Sequence, residues 1–219
     1  MTQTQPDISA FILDLFGVVI AFDNDVMYRR LAQHCAEPDS ALARLDGFMA
    51  RREIITDGWT LPKVHRQLVE EFGFDRGYPD FEILWLEPYS WPMPGMADCL
   101  RYLSERYRLV LLSNIDRYYW KVVQRRHPEL EHFDAILLSC DLRMAKPDPD
   151  VFRHAAEIAG ADPTRCYFVD DTEINVAAAR DLGFQTHKFR DSAQLVAALA
   201  WTGLPAGVRG SERTDQPGS

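Results

Sequence analysis

Asp14 ends a short apolar run, Ile8 to Leu13, and Gly17 follows it closely. Three later runs repeat that grammar: Leu109 to Leu112 leads into Ser113 and Asn114, Ala135 to Leu138 into Ser139, and Cys166 to Val169 into Asp170 and Asp171, with Asn175 just beyond. Lys146 lies between the last two. These residue types form a coherent chemical set. A carboxylate such as Asp14 can attack phosphorus and split a difficult hydrolysis into two easier steps. Two anions repel, so a cation is needed; oxygen ligands from Asp14, the carbonyl of Phe16 and Asp171, with Asp170 alongside, suit Mg²⁺. Ser113 and the amide of Asn114 can donate to phosphate oxygens, and Lys146 adds positive charge where the transferring group carries its own.

Such a set works only if the chain brings it together. Continuous apolar runs of this length read as buried parallel strands covered on both faces. Helical patterns lie between them. Asp148 and Pro149 open a helix through Val151 to Ala159 that closes at Gly160, and another runs from Glu173 to Leu182 and stops at Gly183. Strand and helix alternate from Gly95 to Trp201, which predicts an α/β fold: a doubly wound parallel sheet, with ligands bound at the carboxyl ends of its strands. The stretch from Phe22 to Ser90 breaks the alternation. Its pattern is helical over Val26 to Cys35, Ala41 to Arg52 and Leu61 to Phe72, and no strand is expected there. The chain therefore divides into a core of 1–20 and 92–202, a helical insertion of 21–91, and a mobile tail of 203–219 too poor in apolar groups to offset the entropy of ordering it.

The net charge of −9 over 219 residues gives no electrostatic footprint for nucleic acid or an anionic membrane surface. No window approaches the length of an apolar membrane span, and Met1 to Ile8 lacks a basic start followed by an apolar stretch, so a cytoplasmic protein is expected. Cys35, Cys99, Cys140 and Cys166 are scattered without a C-x-x-C pair and read as reduced core thiols. The six histidines show no metal-ligand spacing and read as structural. Nothing in the sequence bears on oligomeric state.

Taken singly, each signal has a plain reading: Asp14 as a turn residue, Lys146 before a proline as a solvated loop residue, Asp170 and Asp171 as helix caps. Their joint order is what distinguishes them. Asp14-Leu-Phe-Gly-Val, Leu112-Ser-Asn, Lys146-Pro-Asp-Pro and Val169-Asp-Asp-Thr-Glu-Ile-Asn resemble the four ordered motifs of the haloacid dehalogenase-like (HAD) superfamily, over Ile8 to Phe189. The resemblance implies a Rossmann-like core, a helical cap inserted between the first two motifs, and a Mg²⁺-dependent phosphatase acting through an aspartyl-phosphate on Asp14. The substrate it implies is a small-molecule phosphate ester; within the superfamily the pattern is most similar to bacterial sugar-phosphatases of the α-glucose-1-phosphate type. One departure stands out, because most phosphatases of the family carry a general-acid Asp where this chain has Phe16. Asp23 and Asp25, where the chain enters the cap, are candidates to replace it, and Trp59, Trp85, Tyr89 and Trp91 are candidates to line a substrate pocket. Two rivals share the fold. A haloacid dehalogenase-type hydrolase would accept an aromatic Phe16 but has no use for paired carboxylates at 170 and 171; a non-catalytic HAD-fold binding protein has no reason to keep the costly cluster of charges.

Overall fold

The computed structural model describes residues 7–204; all but the first two residues of the expected tail lie outside that range. Its centre is a parallel five-stranded sheet in the order β5-β4-β1-β6-β7, formed by β1 (Ala10–Leu13), β4 (Arg108–Ser113), β5 (Ala135–Leu138), β6 (Cys166–Asp170) and β7 (Gln185–Lys188). Strand β1 is central, with Leu13 paired to Leu111 on one side and Val169 on the other. Its side chains alternate between two cores: Phe11 and Leu13 enter one apolar cluster, Ala10 and Ile12 the other. This is why the run is apolar at every position. The chain builds from β1 to β4 and β5 on one side and then crosses to β6 and β7 on the other, and the crevice above β1, where the order reverses, is where such a sheet offers a binding site.

The helices flanking the sheet are α6 (Met96–Ser104), α7 (Arg117–Arg126), α8 (Ser139–Leu142), α9 (Pro149–Ala159), α10 (Glu173–Asp181) and α11 (Ser192–Ala198). Asp148 caps α9 by accepting from Asp150 N, and Gly160 ends it in the left-handed region at φ 67°, so the Asp148 pattern is a helix start. Two elements depart from the sequence reading. Residues 139–142 form a turn of helix directly after β5, and β7 is a fifth strand whose residues, Gln185, Thr186, His187 and Lys188, carry no apolar signature. The edge position explains it: β7 pairs on one side only, through Phe168 with Thr186 and Asp170 with Lys188.

Between β1 and α6 come five helices: α1 (Asn24–Ala32), α2 (Pro38–Met49), α3 (Arg52–Ile55), α4 (Leu61–Phe72) and α5 (Tyr78–Leu86). They surround a separate core in which Met27, Leu31, Phe48, Leu68, Phe81 and Trp85 meet. Helix α4 gives the clearest reason for its place. Leu61, Val64, Leu68 and Phe72 recur at helical spacing and are all buried, while Gly73 ends the helix at φ 62°. Burying each such side chain contributes roughly 1.5–3 kcal/mol. The sequence pattern did not announce α5, which is apolar on more than one face, or α3, a single turn.

The chain enters and leaves this helical cap through two short strands, β2 (Ile20–Phe22) and β3 (Ser90–Pro92), which pair antiparallel with Phe22 opposite Ser90. Cap and core also meet at α3: Ser139 Oγ donates to Ile55 O, Arg52 lies 3.4 Å from Asp148, and Arg117 lies 3.4 Å from Asp57. All four cysteines are buried and unpaired. Among the described residues no helix is long and apolar enough to cross a membrane.

Candidate active site

Because β4, β1 and β6 run parallel in register, their carboxyl ends deliver Ser113 and Asn114, Asp14, and Asp170 and Asp171 to one edge of the sheet. Asp14 is tied there by its own backbone, whose N–H donates to Val169 O at 2.9 Å. Its Oδ1 accepts from Leu15 N at 2.7 Å. The turn beyond Asp14 folds tightly, with Val19 N and Ile20 N both donating to Leu15 O.

Lys146 completes the group. Its Nζ lies 2.6 Å from Asp14 Oδ1 and 2.7 Å from Asp170 Oδ2, with almost no solvent exposure. The loop carrying it is held by Asn114, whose side chain donates to Lys146 O at 2.9 Å and accepts from Lys146 N at 3.0 Å. The Asn114 side chain is thus committed to positioning the lysine. Asp170 is equally committed: Oδ1 accepts from Thr172 N and both oxygens accept from Asn175 Nδ2. Asp171 is more open and accepts from Thr172 Oγ1 at 3.2 Å. Ser113 Oγ is buried, and among the described residues it has no hydrogen-bond partner, so its hydroxyl is uncommitted.

One carboxylate oxygen from each of Asp14, Asp170 and Asp171 lies within 4.8 Å of the others. Burial, first of all, pushes the Asp14 carboxyl up to about 8, with Asp170 and Asp171 adding to it and Lys146 pulling against it. Asp171 is raised for the same reasons, burial before the charge of Asp170. Burial disfavours the charged lysine, yet Asp14 and Asp170 outweigh it and hold Lys146 above the ordinary value. Three carboxylates against one ammonium leave net negative charge when all are ionised. Hard oxygen donors in that balance fit a divalent cation of the Mg²⁺ type. Gly17 fits the same purpose. It sits at φ 80°, and a Cβ there would lie 2.4 Å from Asp171 Oδ2, so only glycine leaves that carboxylate its place.

Phe16 lines the small cavity of about 190 Å³ that holds Asp14, Asp171, Lys146 and Asn175. Its ring meets Phe22 edge-on at 5.4 Å and stacks with Tyr89 at 6.4 Å and Tyr119 at 6.3 Å. A larger cavity of about 450 Å³ continues from it under the cap, lined by Tyr28, Asp46, Trp85, Tyr89 and Asp116 among others. Trp85 and Tyr89 therefore do face a cavity, whereas Trp91 is exposed on β3. Asp23 and Asp25 do not reach either cavity: Asp23 caps α1 by accepting from Asp25 N, and Asp25 pairs with Arg29 at 3.1 Å. The capping bond of Asp23 and the Arg29 pair of Asp25 correct the reading of either as the replacement acid. Thr172, Tyr28 and Asp46 join the site without a sequence signal of their own. Asp116, two residues past Asn114, caps α7 through Tyr118 N and Tyr119 N, and burial raises its carboxyl despite those bonds.

Comparison with known proteins agrees with the geometry. Residues 8–183 match the family model described as haloacid dehalogenase-like hydrolase. The phosphoglycolate phosphatase of Cereibacter sphaeroides is 29% identical over 191 residues, 82% of this chain and 84% of that protein. Rat bifunctional epoxide hydrolase 2 is 35% identical over 69 residues, but the match takes in 32% of this chain and spans only 12% of that protein. Among solved structures, a HAD-family enzyme of Bacteroides thetaiotaomicron in complex with magnesium and inorganic phosphate superposes with a TM-score of 0.71 at 28% identity, covering 84% of this chain and 96% of that one.

Proposed function

This chain belongs to the haloacid dehalogenase-like hydrolases, and from that premise we propose that it is a phosphoric monoester hydrolase acting on a small phosphorylated metabolite, with Asp14 as nucleophile and Mg²⁺ as cofactor. The observation that carries the reading is Lys146 bridging Asp14 and Asp170 in a cluster with Asp171 that is net negative when its carboxyls are ionised. The relatives' phosphatase activity and the magnesium and phosphate bound to the Bacteroides enzyme support it.

Asp14, the Phe16 carbonyl and Asp171 would hold the metal, with Asp170 beside them. Bound there, magnesium neutralises charge on the ester and orients its oxygens. An Asp14 oxygen attacks phosphorus, the bond to the leaving oxygen breaks with its electron pair, and that oxygen takes a proton from solvent. Lys146 holds Asp14 in line and offsets charge on the transferring group. Ser113 Oγ and the backbone amide of Asn114 donate to non-bridging oxygens. Water then attacks phosphorus and loses a proton to solvent, the bond to Asp14 breaks, and the carboxylate returns as phosphate leaves. Asn175 acts through Asp170, which it holds in the orientation that Lys146 requires. The same reading assigns 1–20 and 92–202 to the core and 21–91 to the cap, supported by their separate apolar clusters.

A haloacid dehalogenase has one observation in its favour, the aromatic Phe16. Paired carboxylates at 170 and 171 weigh against it, since an anionic haloacid would meet their charge with only Lys146, already shared between Asp14 and Asp170, to offset it. Release of inorganic phosphate from a panel of phosphorylated metabolites, with and without Mg²⁺, tests the proposal. Wild-type protein should turn over at least one ester only with Mg²⁺, and Asp14→Asn should lower that rate by at least 10³-fold. Unchanged turnover in Asp14→Asn, or none against the whole panel, would overturn it.

A further inference from the structure

The larger cavity has a definite chemistry on its cap side. Tyr28, from α1, donates its hydroxyl to Asp46 Oδ1, from α2, at 3.0 Å, and both face the space beyond Asn114 and Lys146. Around them stand the rings of Phe16, Phe22, Trp85 and Tyr89. The only cation lining the cavity among the described residues is Lys146, and it is already shared between Asp14 and Asp170. The nearby arginines are occupied as well: Arg117 by Asp57 and Asp141, Arg52 by Asp148.

Asp46 is also where local physics would not put it. It occupies the last turn of α2, at the negative end of the helix dipole, in a turn without basic residues. Among the described residues it has no cationic partner. Asp46 is exposed to solvent and lines the cavity, so its charge and its acceptor oxygens are open to a molecule bound there.

Resting on the phosphatase reading, we infer that the Tyr28–Asp46 pair selects the leaving group: it admits monoesters whose non-phosphate end donates hydrogen bonds and carries no negative charge, and it rejects those bearing a second anion. The logic is one of donors and acceptors. With its proton given to Asp46, the Tyr28 oxygen can only accept, and Asp46 only accepts as well. Hydroxyl groups or an ammonium satisfy both, and the flanking rings suit the C–H faces of a polyol or a cation. A carboxylate or second phosphate would be left without a donor and next to a like charge. The phosphoglycolate handled by the Cereibacter relative falls in the rejected class.

Glycerol 3-phosphate and 3-phosphoglycerate differ only by a hydroxymethyl group in place of a carboxylate, and phosphoethanolamine supplies the ammonium. With Mg²⁺, wild-type protein should show kcat/KM at least tenfold higher for glycerol 3-phosphate or phosphoethanolamine than for 3-phosphoglycerate; whichever leads identifies the donor as hydroxyl or ammonium. Asp46→Asn should bring that ratio near one, and Asp46→Lys should reverse it. Tyr28→Phe should narrow it by raising KM more than it lowers kcat. The thermal midpoint of Asp46→Asn, which keeps an acceptor for the Tyr28 hydroxyl, should stay level or rise, since the helix loses an unfavourable charge. Equal or better use of 3-phosphoglycerate by wild type, or a ratio untouched in Asp46→Lys, overturns the inference while p-nitrophenyl phosphate turnover shows the phosphatase intact. Loss of p-nitrophenyl phosphate turnover in wild type would instead remove the phosphatase reading beneath it.

Discussion

Replacing Phe16 by Asp sets two effects of known size against each other. The ring meets Phe22, Tyr89 and Tyr119 at centroid separations of 5.4–6.4 Å. Such pairs contribute about 0.5–1.5 kcal/mol each, so the substitution should cost about 2–4 kcal/mol of stability. Domains of this kind have about 5–15 kcal/mol in hand, so the variant should fold. Against that loss, a general acid placed at the leaving oxygen accelerates its departure by about 10²–10⁴-fold. In the wild type the titratable groups of the small cavity are Asp14, Lys146 and Asp171, all already engaged. Its rates should therefore fall steeply as the leaving alcohol becomes less acidic. Phe16→Asp should raise kcat/KM for alkyl phosphates relative to p-nitrophenyl phosphate by about 10²–10⁴-fold over the Phe16→Asn control, which loses the same packing and gains no proton. The assay is phosphate release with Mg²⁺, read with thermal midpoints for all three proteins. Equal alkyl-to-aryl ratios in the folded Asp and Asn variants would refute the argument, since residue 16 would then lie away from the reacting oxygen.

Three other outcomes follow from the geometry. Gly17→Ala places a methyl group 2.4 Å from Asp171 Oδ2 and adds about 1–2 kcal/mol of left-handed backbone strain, so Mg²⁺ affinity, read as a ligand-induced thermal shift, should weaken by about 10–100-fold; an unchanged titration would contradict the role given to that carboxylate. Lys146→Met leaves two buried carboxylates facing each other and should cost about 3–5 kcal/mol. Burial raises the Asp14 carboxyl to about 8 against the pull of Lys146; without that pull it keeps its proton to higher pH while the unfolded chain's is ionised, so thermal midpoints of this variant should fall further below wild type at pH 9 than at pH 5, and a pH-independent deficit would count against the cluster. Burial pushes the Cys99 thiol up to about 12 and those of Cys140 and Cys166 up to about 11, and raises Cys35 as well. Native protein at pH 7 should therefore leave a thiol-specific disulfide reagent unreacted, and denatured protein should consume four equivalents; fast reaction of any thiol in the native state would be inconsistent with that burial.

The parts of this molecule written in local pattern were readable from the chain alone. Strands β1, β4 and β6 announce themselves because both faces of the sheet are covered, β5 by an apolar run although as an edge strand it leaves Ile136 exposed, and α9 because Asp148, Pro149 and Gly160 are its start and stop signals. The order of polar residues after those strands carries the chemistry with it. What escaped the pattern depends on partners far away in sequence. Strand β7 exists because β6 offers it a ladder, and β2 and β3 are three residues each, paired across a gap of nearly seventy. The Tyr28–Asp46 bond joins two helices whose packing no spacing rule predicts. The bond pattern of Asn114 was equally hidden, since its side chain serves the backbone of Lys146 thirty-two residues later.

The antiparallel ribbon of β2 and β3 has a consequence for how this chain could change. Phe22 and Ser90 face each other across it, so the outgoing and returning backbones run side by side where the five helices begin and end. A two-residue reverse turn spans such a gap, and splicing one in would remove the whole helical cassette while leaving every strand of the central sheet on its present path. The same junction would accept a cassette of another size or sequence, so the cavity proposed to select the leaving group could be exchanged without touching the strand ends proposed to hold the phosphate.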